Sequence, residues 1–133
     1  MRTGLQTLNM PMLGMGSFLS APGEVGQAID WALEAGVRMI DTAYMYQNEK
    51  EIGDVLNKWI KSGKLKREDL FIVTKLPMPG IRPERVEEYC LESIKNLGLE
   101  YVDLYLVHSP IGVERDPETR FIKFYNGKVI LVY

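Results

Sequence analysis

The sequence has one cysteine, Cys90, in 133 residues. A single cysteine excludes an intrachain disulfide, and low cysteine content is typical of proteins in a reducing compartment. With 46% hydrophobic and 26% charged residues, the chain has the composition of an ordinary globular protein that can bury one core. We therefore expect hydrophobic packing, and not a disulfide framework, to hold the fold together.

Long hydrophobic runs are also missing. The opening stretch MRTGLQTLNMPMLGMGSF lacks the continuous apolar segment of a signal peptide. No run approaches the roughly 20 apolar residues that span a membrane. These features predict a cytoplasmic protein that does not contact membranes.

The charge balance gives no basic excess. The formal net charge is −2 and the sequence pI is near 5.5, so we expect no nucleic-acid partner. The basic residues between 58 and 67 are more typical of a solvated helix end and loop than of a binding patch. We also expect no metal site.

Apolar residues alternate between short continuous runs and helical spacing, the pattern of βα units. The runs at 12–16, 37–40, 70–74 and 101–107 predict strands. Helical spacing from 25 to 35, 52 to 60 and 86 to 97 predicts the helices between them, with Asn48 as a candidate N-cap. The third helix should carry Val86, Cys90, Ile94 and Leu97 on its apolar face. Each helix must return the chain to the same edge, so we expect a parallel sheet.

Ionisable side chains stand where three of these runs end. Asp41 directly follows the second predicted strand, Lys75 the third and His108 the fourth. The carboxyl ends of parallel strands meet at one edge, where α/β folds place their chemistry. Tyr44 and Tyr46, in the loop after the second strand, could reach the same edge. Each residue alone also has an ordinary role as a turn former, a snorkelling lysine or a loop anchor.

Together these residues suit proton transfer. A tyrosine with a pKa of roughly 10 is a poor acid near neutrality, and an adjacent ammonium stabilises its phenolate. Lys75 could supply that charge, Asp41 could hold the ammonium, and His108 could bind a substrate oxygen. The residues alone leave the choice between Tyr44 and Tyr46 open.

The motifs MPMLGMGSF, REDLFIVTK and YVDLYLVHSP follow one another along the chain, and the last two contain Lys75 and His108. The order of these motifs, and the intervals between Asp41, Tyr46, Lys75 and His108, resemble the N-terminal part of an aldo-keto reductase and its catalytic tetrad. The family's signature around the second strand is matched by Gly36, Arg38, Asp41, Thr42, Ala43, Glu49, Ile52 and Gly53. Val37 stands where the family usually has an aromatic residue.

The resemblance implies a (β/α)8 TIM barrel that reduces aldehydes or ketones with NADPH. It selects Tyr46 as the acid that protonates the carbonyl oxygen, with Lys75 lowering its pKa, Asp41 pairing with Lys75, and His108 orienting the substrate carbonyl. It also implies that Gly16, Ser17 and Asp41 contact the cofactor. Phe18 is expected at the substrate mouth, although a plain loop anchor is an equal alternative.

A complete barrel needs roughly 250 residues. We therefore expect one partial barrel domain over residues 1–133, holding about the first four β/α units behind an N-terminal hairpin. Residues 111–133 are either the family's variable loop or an unrelated tail, with a turn at the NGKV sequence. A second chain could complete the barrel. The alternative function is a non-catalytic scaffold or interaction protein derived from such an enzyme.

Overall fold

The computed structural model describes residues 9–132. Its first four strands are β1 (Gly14–Gly16), β2 (Met39–Asp41), β3 (Phe71–Leu76) and β4 (Leu104–Val107). They alternate with the helices α1 (Glu24–Glu34), α2 (Glu49–Lys61) and α3 (Pro83–Leu97). The predicted order of strands and helices is confirmed. The predicted N-terminal hairpin falls largely on residues 1–8, outside the described part.

The four strands form one parallel sheet in the order β1-β2-β3-β4. Chain order and spatial order therefore agree, as expected for successive βα units. All four carboxyl ends lie along the same edge, which confirms the prediction of a parallel sheet. Strands β1 and β4 are the two outer strands of this sheet.

Two of the predicted strand ends were placed too early. Asp41 is the last residue of β2, and Lys75 lies inside β3, one residue before its end. The ladder continues this far because the Ser17 amide donates to the Asp41 carbonyl at 3.1 Å and Lys75 pairs in register with Leu106. His108 does directly follow β4.

The main core lies between the helices and one face of the sheet. Ile40 and Ile72 are fully buried there against the apolar faces of α1 and α2. Since successive side chains of a strand point to opposite faces, Asp41, Val73 and Lys75 point to the other face. The core residues are Val25, Ile29, Leu33, Ile40, Ile52, Leu56, Trp59, Leu65, Leu70, Ile72 and Leu97.

The buried face of helix α3 overlaps the predicted one but is shifted: Leu97 is fully buried and Val86 packs against a buried cluster, as predicted. The sequence pattern placed Cys90 on the apolar face, but the fully buried residues are Tyr89, Ser93 and Leu97. Cys90 is half-buried, and burial raises the pKa of its thiol. The face is rotated because Tyr89 packs into a second cluster with Tyr44, which a pattern within one helix does not reveal.

Helices α2 and α3 approach closely at Gly53. A Cβ at this position would lie 2.2 Å from the Leu97 carbonyl oxygen, so only glycine fits. The Asn57 amide donates to the carbonyl oxygens of both Gly53 and Leu97, at 2.8 and 3.0 Å. This contact fixes the spacing of the two helices behind β3, the strand that carries Lys75.

The segment after β4 forms short strands. These are β5 (Gly112–Val113), β6 (Phe124–Tyr125), β7 (Lys128–Val129) and β8 (Leu131–Val132). Of these, β5 contacts the 3₁₀ turn Met78–Gly80. β6 and β7 form an antiparallel hairpin around Asn126 and Gly127, both at positive φ, as the NGKV sequence predicted. Phe121 joins the Tyr44 and Tyr89 cluster, and Arg120 forms ion pairs with two glutamates of α3.

None of the helices within residues 9–132 is long and apolar enough to cross a membrane.

Candidate active site

Lys75 is the centre of the polar cluster at the sheet edge. Its side chain is 13% exposed, and its ammonium pairs with Asp41 Oδ1. The same nitrogen donates to the Thr42 carbonyl oxygen at 2.8 Å and lies 3.5 Å from the Tyr46 hydroxyl. Three acceptors therefore surround the three N–H bonds of the ammonium and orient it.

Asp41 reaches Lys75 because of the register between β2 and β3. Asp41 pairs with Val73, so its side chain and that of Lys75 emerge on the same face of the sheet. On the opposite face, the Thr74 hydroxyl donates to the buried Glu49 carboxylate at 2.7 Å. The alternation of Thr74 and Lys75 thus directs one side chain to the helices and the next to the polar cluster.

Tyr46 ends a short 3₁₀ turn, Tyr44–Tyr46, that follows β2. Its ring centroid lies 5.1 Å from that of Phe18 and 5.4 Å from the His108 imidazole, which meets it edge-on. The Lys75 nitrogen is 5.1 Å from the same ring centroid. The phenol is therefore bordered by the cation, the imidazole and an exposed aromatic ring.

Tyr44 lies in a different environment. Its hydroxyl donates to Glu92 Oε1 at 3.2 Å, and its ring packs edge-on against Tyr89 and beside Phe121. Burial and the Glu92 carboxylate raise its pKa to about 12. Tyr44 therefore anchors the tail to α3, and the structure places Tyr46, not Tyr44, beside Lys75.

His108 sits just beyond β4, where its backbone amide donates to the Leu76 carbonyl at 3.1 Å. Burial is the main cause that lowers the pKa of its imidazole; the Lys75 charge lowers it further and Asp41 opposes the shift. Its Nδ1 atom is buried without a hydrogen-bond partner among the described residues. The imidazole is thus held in its neutral form near pH 7.

The loop after β1 carries three further predicted site residues. Gly16 pairs in register with Asp41, and a Cβ on it would meet nothing within 4 Å, so the sheet surface there is open. Ser17 is fully buried, and its hydroxyl lies 3.3 Å from the Asp41 carbonyl oxygen. Phe18 is 65% exposed beside Tyr46. Whether Gly16 and Ser17 contact a cofactor stays a prediction.

Within residues 9–132, no three His, Cys, Asp or Glu side chains are grouped closely enough to hold a metal ion.

The sequence model of the Aldo/keto reductase family matches residues 12–122. The chain belongs to this family.

Relatives in the family are considerably longer. Aldose reductase B of Dictyostelium discoideum is 46% identical over 128 residues, which cover 92% of this chain and 41% of that protein. Dihydrodiol dehydrogenase 3 of Bos taurus is 43% identical over 126 residues, covering 91% of this chain and 38% of its own length. The chain thus spans about two fifths of the curated relatives it matches.

Solved aldose reductases share the fold. The aldose reductase of Schistosoma japonicum superposes with a TM-score of 0.86 at 45% identity, covering 93% of this chain and 41% of the other. That of Giardia lamblia gives 0.84 at 37% identity, covering 90% and 40%. The predicted TIM-barrel class is confirmed, and the four parallel strands described here correspond to part of the aldo/keto reductase barrel.

One residue beside the polar cluster makes contacts that the sequence did not predict. Asn48 occupies the N-cap position of α2, as expected, but its side chain makes no capping hydrogen bond among the described residues. It bonds instead to Ser17 and Thr42, which flank the polar cluster around Lys75. The only sequence signal was an asparagine next to the Tyr46 motif, since Ser17 is distant along the chain.

Proposed function

We propose that this chain carries the proton-transfer machinery of a carbonyl reductase, which converts aldehydes and ketones to alcohols with NADPH. The observation that supports it most is the Lys75 ammonium, held by Asp41 and the Thr42 carbonyl and lying 3.5 Å from the Tyr46 hydroxyl. A neutral His108 borders the same phenol. This combination suits a tyrosine general acid.

The residues present fit the nicotinamide end of NADPH. Gly16 leaves the sheet surface open next to Asp41, whose side chain is 38% exposed. We propose that Gly16, Ser17 and Asp41 border the bound nicotinamide and ribose. NADPH, when bound, supplies a hydride to the carbonyl carbon.

The side chains of this chain would then stabilise and neutralise the negative charge that develops on the carbonyl oxygen. His108 donates a hydrogen bond that orients the carbonyl, and Tyr46 gives its proton to that oxygen as negative charge develops there. The Lys75 ammonium stabilises the resulting phenolate, and Asp41 holds Lys75 in place. Solvent returns a proton to Tyr46 after the alcohol leaves.

A chimeric barrel tests this assignment. Residues 12–122 of this chain would replace the matching segment of the Schistosoma japonicum aldose reductase, and NADPH oxidation would be followed with a simple aromatic aldehyde. Tyr46→Phe should lower kcat by about 10²–10⁴, the usual contribution of a general acid. Retention of most activity by this variant would remove Tyr46 from the acid role.

Tyr44→Phe is the matched control, because it deletes a hydroxyl two residues away. It loses the bond to Glu92 and should cost about 1 kcal/mol of unfolding free energy, with kcat within threefold of the parent. An equal loss of kcat in both variants would mean that catalysis depends on the integrity of the 3₁₀ turn and not on the Tyr46 proton.

A second polypeptide that completes the barrel is also a proposal. It is supported by the outer position of β4 in the sheet and by the exposure of Leu106 and Val107, at 39% and 61%. The purified chain would be mixed with the remaining C-terminal segment of the Schistosoma japonicum enzyme. NADPH fluorescence quenching that requires both pieces supports completion in trans. Stable association without quenching would favour the alternative, a non-catalytic interaction protein.

A cytoplasmic location is proposed from the single cysteine, and cell fractionation would test it.

A further inference from the structure

Asn48 occupies the N-cap position of α2, but its side chain bonds to other segments of the described chain and not to the helix. It is 8% exposed at the start of α2. Its amide nitrogen donates to the Ser17 carbonyl oxygen at 2.8 Å. Its amide oxygen accepts from the Thr42 hydroxyl at 3.2 Å and from the Ser17 hydroxyl at 3.4 Å. A buried amide with this many partners fixes the segments it bridges.

The bridged segments are the two sides of the candidate site. Thr42 follows β2, and its backbone carbonyl is one of the acceptors that orient Lys75. Ser17 follows β1 and directly precedes Phe18, the aromatic residue at the substrate mouth. One side chain therefore connects the backbone that holds the catalytic cation to the backbone that presents Phe18.

Phe18 depends on this anchor because little else holds it. Its ring is 65% exposed and lies 5.1 Å from the Tyr46 ring. The next residue, Leu19, is 85% exposed and has a φ of 59°, a left-handed conformation that costs energy in a non-glycine residue. Such a turn persists only where neighbouring residues fix it, and the Ser17 bonds lie directly before it.

The far end of the same loop is held independently. The Glu51 carboxylate accepts from the amides of Gly23 and Gly26 at 3.0 and 2.7 Å, at the start of α1. Glu51 thus secures the loop where it enters the helix, away from Phe18. Both anchors come from the first turn of α2, so one can be removed while the other remains.

We propose that Asn48 is a positioning residue of the active site, which fixes the Phe18 wall of the substrate mouth relative to Tyr46 and Lys75. Its relevance to catalysis rests on the proposed carbonyl reductase function. The positioning of Phe18 by Asn48 does not depend on that function. It can be measured in the full chain without bound cofactor and without an activity assay.

The test uses Asn48→Asp, which keeps the shape but places a carboxylate oxygen against the Ser17 carbonyl. Asn48→Ala removes all three bonds without adding charge, and Glu51→Gln is the control at the other end of the loop. NMR would measure the Phe18–Tyr46 ring contact and amide exchange at Ser17 and Ser20, relative to β3 amides as the internal reference for global stability.

Both Asn48 variants should lose the ring contact and exchange the Ser17 and Ser20 amides about tenfold faster than the parent, with β3 protected. Glu51→Gln should keep the ring contact and accelerate amide exchange only at Gly23 and Gly26. The proposal is overturned if the ring contact survives in Asn48→Ala, or if all three variants speed exchange uniformly across the loop and β3. Failure of the chimeric barrel to oxidise NADPH with an aldehyde would count against the reductase assignment alone and would leave the positioning role of Asn48 unaffected.

Discussion

Removal of the Lys75 charge is the most direct perturbation of the proposed chemistry. The Lys75 nitrogen lies 3.5 Å from the Tyr46 hydroxyl oxygen. With an effective dielectric constant of about 20, two unit charges at this distance interact by about 5 kcal/mol. Lys75→Met keeps the length of the side chain and removes this stabilisation of the phenolate. Since each 1.36 kcal/mol is tenfold in rate, kcat should fall by about 10³–10⁴.

The assay is steady-state NADPH oxidation in the chimeric barrel, with Lys61→Met on the exposed end of α2 as the control. The loss should appear in kcat, with KM for the aldehyde within about threefold, because the charge acts on the transition state. Asp41→Asn should cost less, since the Thr42 carbonyl still holds the ammonium. A Lys75→Met enzyme within tenfold of the parent kcat would refute the electrostatic role, as would a loss confined to KM.

Two further predictions concern stability. Gly53→Ala should lower the unfolding free energy by about 1–2 kcal/mol in urea titrations, because overpacking against the Leu97 backbone outweighs the helix propensity gained. Gly26→Ala, whose Cβ would approach the movable Glu51 side chain and come within 3.4 Å of Val55 Cγ2 but would meet no backbone, should cost less, and the reverse order would contradict the packing argument. Because the pKa of His108 is lowered in the folded chain, the unfolded chain takes up the imidazole proton at a higher pH than the folded chain does. The unfolding free energy should therefore fall as pH drops below about 6.5 toward the folded pKa. His108→Gln should flatten this slope, and an unchanged slope would show that other groups cause it.

Local sequence patterns were sufficient for the order of strands and helices and for the parallel sheet. They were less accurate at strand ends: Asp41 and Lys75 lie within strands, because ladder hydrogen bonds from β1 and β4 extend β2 and β3. The apolar face of α3 was predicted correctly at Leu97 but is shifted at Cys90, which is only half-buried. The burial of Tyr89 depends on Tyr44 and Phe121, which approach from other parts of the chain.

The sequence by itself determined which ionisable residues reach one edge of the sheet, because parallel βα units bring successive strand ends together whatever their loops do. Only the tertiary structure decided how these residues are held. Tyr44 and Tyr46 have similar local sequence, yet one meets Glu92 and the other Lys75. The sequence around Asn48 predicts a helix cap, but its side chain forms hydrogen bonds that link Ser17 to Thr42. Side-chain hydrogen bonds act over about 3 Å, so partners distant in sequence are fixed only when packing has set the distance between their segments.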